Sequence, residues 1–214
     1  MSSLLEPLLV TVLLLNMFVL GATRLRAVIG ASAAQGVCLG VLTVTAHGEI
    51  TFEVVAIAIA AVAIKAVVIP RLLYKAMRDA AIARDVAPLV GVIPSLVIGA
   101  LGTVFAVVFA GTLPFAGAHA GTLVLPSSLA TVLTGCVVLT TRRKAITQVV
   151  GYLILENGIF ILGLSLLDAM PFLVEVGVLL DLVVGIFVMA IIIHHVSREF
   201  SASTDAAELA ELKE

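Results

Sequence analysis

The chain contains no tryptophan, and aromatic residues make up only 5% of it, so the belt of rings that anchors many membrane proteins at the headgroup level is thin. Charge is scarce as well: 12% of residues, where a soluble domain carries about 25%. The formal net charge is -2 and no basic run is interleaved with aromatics, which excludes the electrostatic footprint of a nucleic-acid binder. Only two cysteines occur, Cys38 and Cys136, both inside apolar stretches. They read as small hydrophobic residues, not as a disulfide or a thiolate metal site. No glycine-rich phosphate loop follows a strand, no His, Cys and carboxylate group shows metal-ligand spacing, and no serine or cysteine has a nearby histidine. Nothing here makes a self-contained catalytic site.

What the chain has in abundance is apolar length. Of its 214 residues 62% are hydrophobic and the mean hydropathy is +1.26, the composition of an integral membrane protein. Much of the apolar surface is Ala, Val, Gly and Leu; small residues allow helices to approach closely, which suits a chain packed among other membrane subunits. A span needs about 20 apolar residues, and seven stretches qualify: roughly 4–22, 26–46, 52–70, 88–111, 122–141, 146–167 and 171–195. The first is no signal peptide, since it lacks a positive n-region, carries Glu6 and Pro7, and leads straight into further spans. The longest break runs from Pro70 to Pro88, and the segment after Arg198 is polar and acidic.

The expected fold is therefore all-α and polytopic, with about seven transmembrane helices. Under that reading Arg24, Arg26, Arg71, Lys75, Arg78, Arg84, Arg142, Arg143, Lys144, Arg198 and Lys213 all fall on one side. The positive-inside rule then puts the N-terminus outside and the C-terminus in the cytoplasm.

Against this apolar background, three acids stand out in the last two spans: Glu156, Glu175 and Asp181. A carboxylate in hydrocarbon costs several kcal/mol unless neutralised or paired. Glu156 lies ten residues past Ile146 and eleven before Leu167, close to the midplane. Its neutral form is favoured there unless a cation lies near, so it can load and release a proton. Asp181 is also central, on one stripe with Gly177 and Gly185; it faces either a buried polar seam or a close-packed neighbour. Glu175, four residues in from Pro171, sits near the outer interface or faces a half-channel from outside. All three could instead serve as polar glue between helices.

Lys65 is the one cation inside a span. It stands six residues before Arg71, near the cytoplasmic end, where its stem can snorkel; otherwise it is a counter-charge tuning a carboxyl, and such pairs exchange protons readily. His194 and His195 end the last helix, where the helix dipole favours them and where they would also make a cytoplasmic proton port. Asn16 and Gln35 read as isolated packing contacts in the first two helices.

The segments VVGYLILENGIFILGLSLL and DLVVGIFVMAIIIHHVSR resemble the second and third helices of the K subunit of respiratory complex I and the C subunit of Mrp-type cation antiporters. Gly151 and Asn157 match the family's Gly and Asn, and Asp181 stands at its acidic position with Gly185 following. The family's other glutamate falls at Leu153; this chain has Glu156 one helical turn further on. A K-like unit preceded by four more helices, with GYLILENGIF and MPFLVEVGVLLDLVVGIFVM, is similar to hydrogenase-4 component E. That is a membrane subunit of group 4 nickel–iron hydrogenases and formate hydrogenlyase-type complexes.

The resemblance implies a four-helix region over 1–121, a K-like three-helix region over 122–197 and a polar cytoplasmic tail over 198–214. It implies a chain without cofactors of its own, whose nickel–iron centre and iron–sulfur clusters sit in partner subunits. The implied setting is a bacterial or archaeal cytoplasmic membrane, among other membrane subunits and a peripheral arm. The implied function is proton or cation translocation through Glu156, Asp181, Glu175 and Lys65, coupled to redox chemistry elsewhere. The alternatives are a subunit of a multisubunit Na⁺/H⁺ antiporter and a non-conducting scaffold.

Overall fold

The computed structural model describes residues 2–46, 55, 59, 62–79, 89–113 and 122–166, and among these the only regular structure is helical. Six α-helices appear: α1 (Ser2–Gly21), α2 (Leu25–Ala46), α3 (Ile69–Asp79), α4 (Val92–Thr112), α5 (Val124–Thr141) and α6 (Ala145–Leu166), with a π-helical segment, Ala63–Val68, leading into α3. Five of them, all but α3, are long and apolar enough to cross a membrane. The sequence spans placed at 52–70 and 171–195 lie partly or wholly outside the described residues.

The closest pair is the hairpin of α5 and α6. Glycine makes it possible: a Cβ at Gly135 would lie 2.5 Å from Leu155 N and 2.6 Å from Leu155 Cα, and one at Gly158 would lie 2.6 Å from Val132 N. These contacts are backbone to backbone, so only a residue without a side chain fits. α1 packs on α2, α4 and α5, while α2 also meets α6 and the π segment. α4 is peripheral: only its small residues Ser95, Gly99 and Ala106 are buried, and Ile93, Leu101, Val104 and Val108 are each more than 60% exposed. In a bilayer that face meets lipid or another subunit, not water.

Among the described residues, the arginines and every lysine but Lys65 gather at one end of this bundle. Tyr74 in α3 donates a hydrogen bond to Arg26 O (3.2 Å), Arg142 donates to Leu20 O (3.0 Å), and Leu89 N donates to Thr141 O (2.8 Å). Those three bonds bring together the α1–α2 and α5–α6 turns, the far part of α3 and the start of α4. Arg142 is itself buried, and it caps one of the α1 carbonyls left without an intrahelical partner. Burial pushes its guanidinium below the usual arginine value, though arginine stays charged at any ordinary pH. Replacing Arg142 by Leu is expected to cost about 1–3 kcal/mol, since a buried carbonyl loses its donor; a thermal melt of the detergent-solubilised protein measures it.

One difference from the sequence reading matters for the site. Pro70 does not end the third helix; the chain stays helical to Asp79. The π turn explains how. Ile69 N–H bonds the carbonyl of Ile64, five residues back, so the ladder has shifted register just where proline removes a donor. Ile69, Leu73 and Met77 then form a buried i, i+4, i+8 stripe on the core that includes Leu25, Val28 and Ile29, while Arg71, Lys75 and Arg78 stay exposed. Lys65 is thereby drawn deep into the bundle instead of lying near its basic end. Nine residues separate it from Tyr74, roughly 13 Å of helix, about half the ~30 Å hydrocarbon thickness.

Candidate functional site: a buried ion pair in a polar layer

Apolar residues fill the two ends of the bundle and leave a gap between them. One cluster, at the basic end, includes Val19, Ile29, Val138 and Ile154. The other includes Leu9, Val12, Leu39, Val124 and Ile161. Between them, at the same height on four helices, lie Asn16, Gln35, Thr131 and Asn157, all buried. Glu156 and Lys65 complete the layer.

Lys65 Nζ lies 2.6 Å from Glu156 Oε1, with the side chains 14% and 5% exposed. The same ammonium donates to Asn157 Oδ1 at 3.3 Å and sits 5.5 Å from the centroid of the Phe160 ring, a cation–π distance. Phe160 is one turn beyond Glu156, so α6 supplies the carboxylate, the amide and the ring from successive turns of nearly one face. α2 supplies the space: a Cβ at Gly36 would stand 2.8 Å from Lys65 Cβ.

From Asn157 a string of hydrogen bonds crosses the bundle. Asn157 Nδ2 donates to Gln35 Oε1 (3.3 Å), Gln35 Nε2 to Asn16 Oδ1 (2.7 Å), and Asn16 Nδ2 to Thr131 Oγ1 (2.9 Å). The Thr131 hydroxyl donates to Ser127 O (2.6 Å). The layer draws on both sides of the boundary expected at residue 121.

The structure thus unites two of the sequence-predicted site residues, Lys65 and Glu156, as counter-charges. Lys65 does not snorkel to the basic end, because α3 continues past Pro70. Leu153, where the K-subunit glutamate would fall, is buried in the basic-end apolar cluster; the shift to position 156 raises the carboxyl by about 4.5 Å into the polar layer. Glu175, Asp181, His194 and His195 lie outside the described residues. Asn16 and Gln35 are not isolated contacts: they join α1 to α2 and connect Thr131 with Asn157. Their signal in the sequence is depth: Gln35 falls near the middle of its span and Asn16 lies five residues inside the end of α1.

Chemically, the pair can hold one proton in two ways, as ammonium and carboxylate or as amine and carboxylic acid. A nearby charge acts on the balance between the two forms. Among the described residues no group of three His, Cys, Asp or Glu is arranged to hold a metal ion.

Comparison with known proteins identifies a mycobacterial relative. Uncharacterized protein Rv0085 of Mycobacterium tuberculosis is 33% identical to this chain over 194 residues, covering 89% of this chain and 87% of the relative. The chain belongs to the family of that protein. The match extends over nearly the whole length of both, so it is not confined to the last helices. No family model matches the chain, and no solved structure matches it.

Proposed function

We propose that this chain is a membrane subunit of a complex I-like, energy-converting nickel–iron hydrogenase assembly and contributes intramembrane charge to proton or cation translocation. The observation that carries the reading is the Lys65–Glu156 contact of 2.6 Å, held between two apolar clusters near mid-depth. An ion pair there adds little to folding over an apolar pair of equal volume, so its presence calls for another use, and intramembrane ionisable groups characteristically serve ion pathways. The resemblance of the 122–195 segment to the K subunit, and of most of the chain to hydrogenase-4 component E, supplies the assembly.

In this reading the chain has seven spans, with the basic end in the cytoplasm of a bacterium or archaeon. Asp181 and Glu175, outside the described residues, serve in this reading as further ion-carrying carboxylates, and His194 and His195 as the cytoplasmic port. The nickel–iron centre and iron–sulfur clusters belong to partner subunits. Reduction or oxidation in the peripheral arm moves charge along the layer, and the pair takes up or gives off a proton as its neighbours change.

Partners test this directly. A mild-detergent pull-down of the tagged chain from native membranes, followed by mass spectrometry, should bring down a nickel–iron large subunit and iron–sulfur proteins. Antiporter subunits without redox proteins would move the function to cation exchange, and recovery of the chain alone would remove both assemblies.

A further inference from the structure

The hydrogen bonds of the polar layer all run one way. Lys65 donates to Asn157, Asn157 to Gln35, Gln35 to Asn16, Asn16 to Thr131, and Thr131 to a backbone carbonyl. The direction follows from the ends. An ammonium can only donate, so Asn157 must turn its carbonyl toward Lys65, which leaves its NH₂ for Gln35. The same choice repeats along the string until the Thr131 hydroxyl donates to Ser127 O, which can only accept. Each dipole in the string therefore presents its negative end toward Lys65. Aligned bonds of this kind polarise one another, and a low local dielectric strengthens them.

The ionic and neutral forms of the pair differ by one proton. In the neutral form the Nζ–H bond breaks, an Oε–H bond forms on Glu156, and the net charge of the pair is unchanged. Glu156 is the charged group that faces Lys65 among the described residues, with Phe160 beside it and Gly36 behind. The string acts on this equilibrium from the lysine side: Asn157 Oδ1 accepts from Lys65 in either form, but a bond from an ammonium is charge-assisted and roughly twice as strong as one from a neutral amine, so the aligned dipoles favour the ionic form. Side-chain amides do not give up a proton near neutral pH, so the string can orient charge but offers no path for proton transfer.

We propose that Asn157, Gln35, Asn16 and Thr131 are positioning residues that hold the Lys65–Glu156 pair in its ionic form, as a fixed dipole line and not as a proton wire. The use of this device in ion movement rests on the function proposed above; its geometry does not.

Infrared spectroscopy of the full-length chain in lipid nanodiscs at neutral pH tests it without any transport assay. The carboxylic-acid C=O stretch of Glu156 is assigned as the band that Glu156→Gln removes. Wild type is expected to show little of it. Gln35→Leu cuts the string in the middle and should enlarge the neutral fraction about tenfold, the size expected when a hydrogen bond supporting a charged group is lost. The double variant Asn16→Gln/Gln35→Asn moves one methylene across the contact and should return the band toward wild type, which a merely structural defect would not do. Should Gln35→Leu fail to fold, Thr131→Val, nearly equal in shape, removes only the terminal hydroxyl and should raise the same band. A folded Gln35→Leu or Thr131→Val protein with the wild-type band overturns the proposal. If the band responds as expected but the Gln35→Leu complex moves ions as wild type does, the dipole line stands and the translocation role falls.

Discussion

Replacing Lys65 by Met is expected to destabilise the bundle by about 3–5 kcal/mol, the cost of leaving a buried carboxylate without its counter-charge. Glu156 is 5% exposed and meets Lys65 at 2.6 Å, so no rotation of the side chain carries it to water. Glu156→Leu alone should be harmful for the converse reason, and additionally strands a cation beside Asn157. The double variant should recover most of the loss, because two apolar side chains of similar volume replace both charges at once. Unfolding of the four proteins in one detergent, arranged as a double-mutant cycle, gives the coupling. A coupling below about 0.5 kcal/mol, the scatter of independent sites, would mean that the two charges do not interact.

The second large effect is expected at Gly135. Alanine there places a Cβ 2.5 Å from Leu155 N and 2.6 Å from Leu155 Cα. Backbone atoms cannot swing aside, so α5 and α6 must separate, and the cost should reach about 3 kcal/mol, the upper part of the usual range for overpacking. The separation would also pull Thr131 away from the amides that reach it from α6 by way of α2 and α1. Gly102 provides the contrast. A Cβ there would meet Leu133 Cδ1 at 3.7 Å, an ordinary contact, so Gly102→Ala should be neutral or stabilising, by up to about 1 kcal/mol from helix propensity alone. Equal effects at the two positions would contradict the close approach of α5 and α6.

The contrast between these glycines shows where sequence reading reaches and where it stops. Apolar runs and their breaks were enough to locate α1, α2, α4, α5 and α6, because hydrocarbon demands an unbroken helix and charge interrupts it. Glu156 was legible for the same reason: a carboxylate in the middle of such a run is conspicuous. Lys65 was harder. Pro70 read as a terminator, since the rule that proline ends helices has no term for an upstream π turn, and the depth of Lys65 depended on that reading. Asn16, Gln35 and Thr131 are common polar residues whose meaning lies in partners on other helices, with 115 positions between Asn16 and Thr131. Matching their depths across antiparallel spans would have aligned them, but which helix faces which is decided by packing. Glu175, Asp181, His194 and His195 remain on the sequence argument, as they lie outside the described residues.

The polar layer also gives the basic end of the bundle a sharper meaning. The hydrogen bonds of Tyr74 and Arg142 tie the α1–α2 turn to α3 and to the α5–α6 turn, so the basic end belongs to the same framework that fixes the depth of Lys65. The π-helical segment that carries Lys65 runs directly into α3, which reaches the basic end at Tyr74.

The central claim is that the Lys65–Glu156 pair takes part in ion movement. Glu156→Gln tests it most directly, introduced into the hydrogenase-like assembly proposed above, with membrane potential followed in sealed vesicles while that assembly's redox reaction runs. Glutamine keeps the size and can still accept from Lys65, but it cannot hold a negative charge or take up a proton. Assembly should survive, the redox reaction should continue, and the potential generated per turnover should fall by at least about tenfold, the scale of losing a proton-transfer group. A wild-type potential in an assembled Glu156→Gln complex would take the pair off the ion path and leave the layer as a structural feature of the bundle.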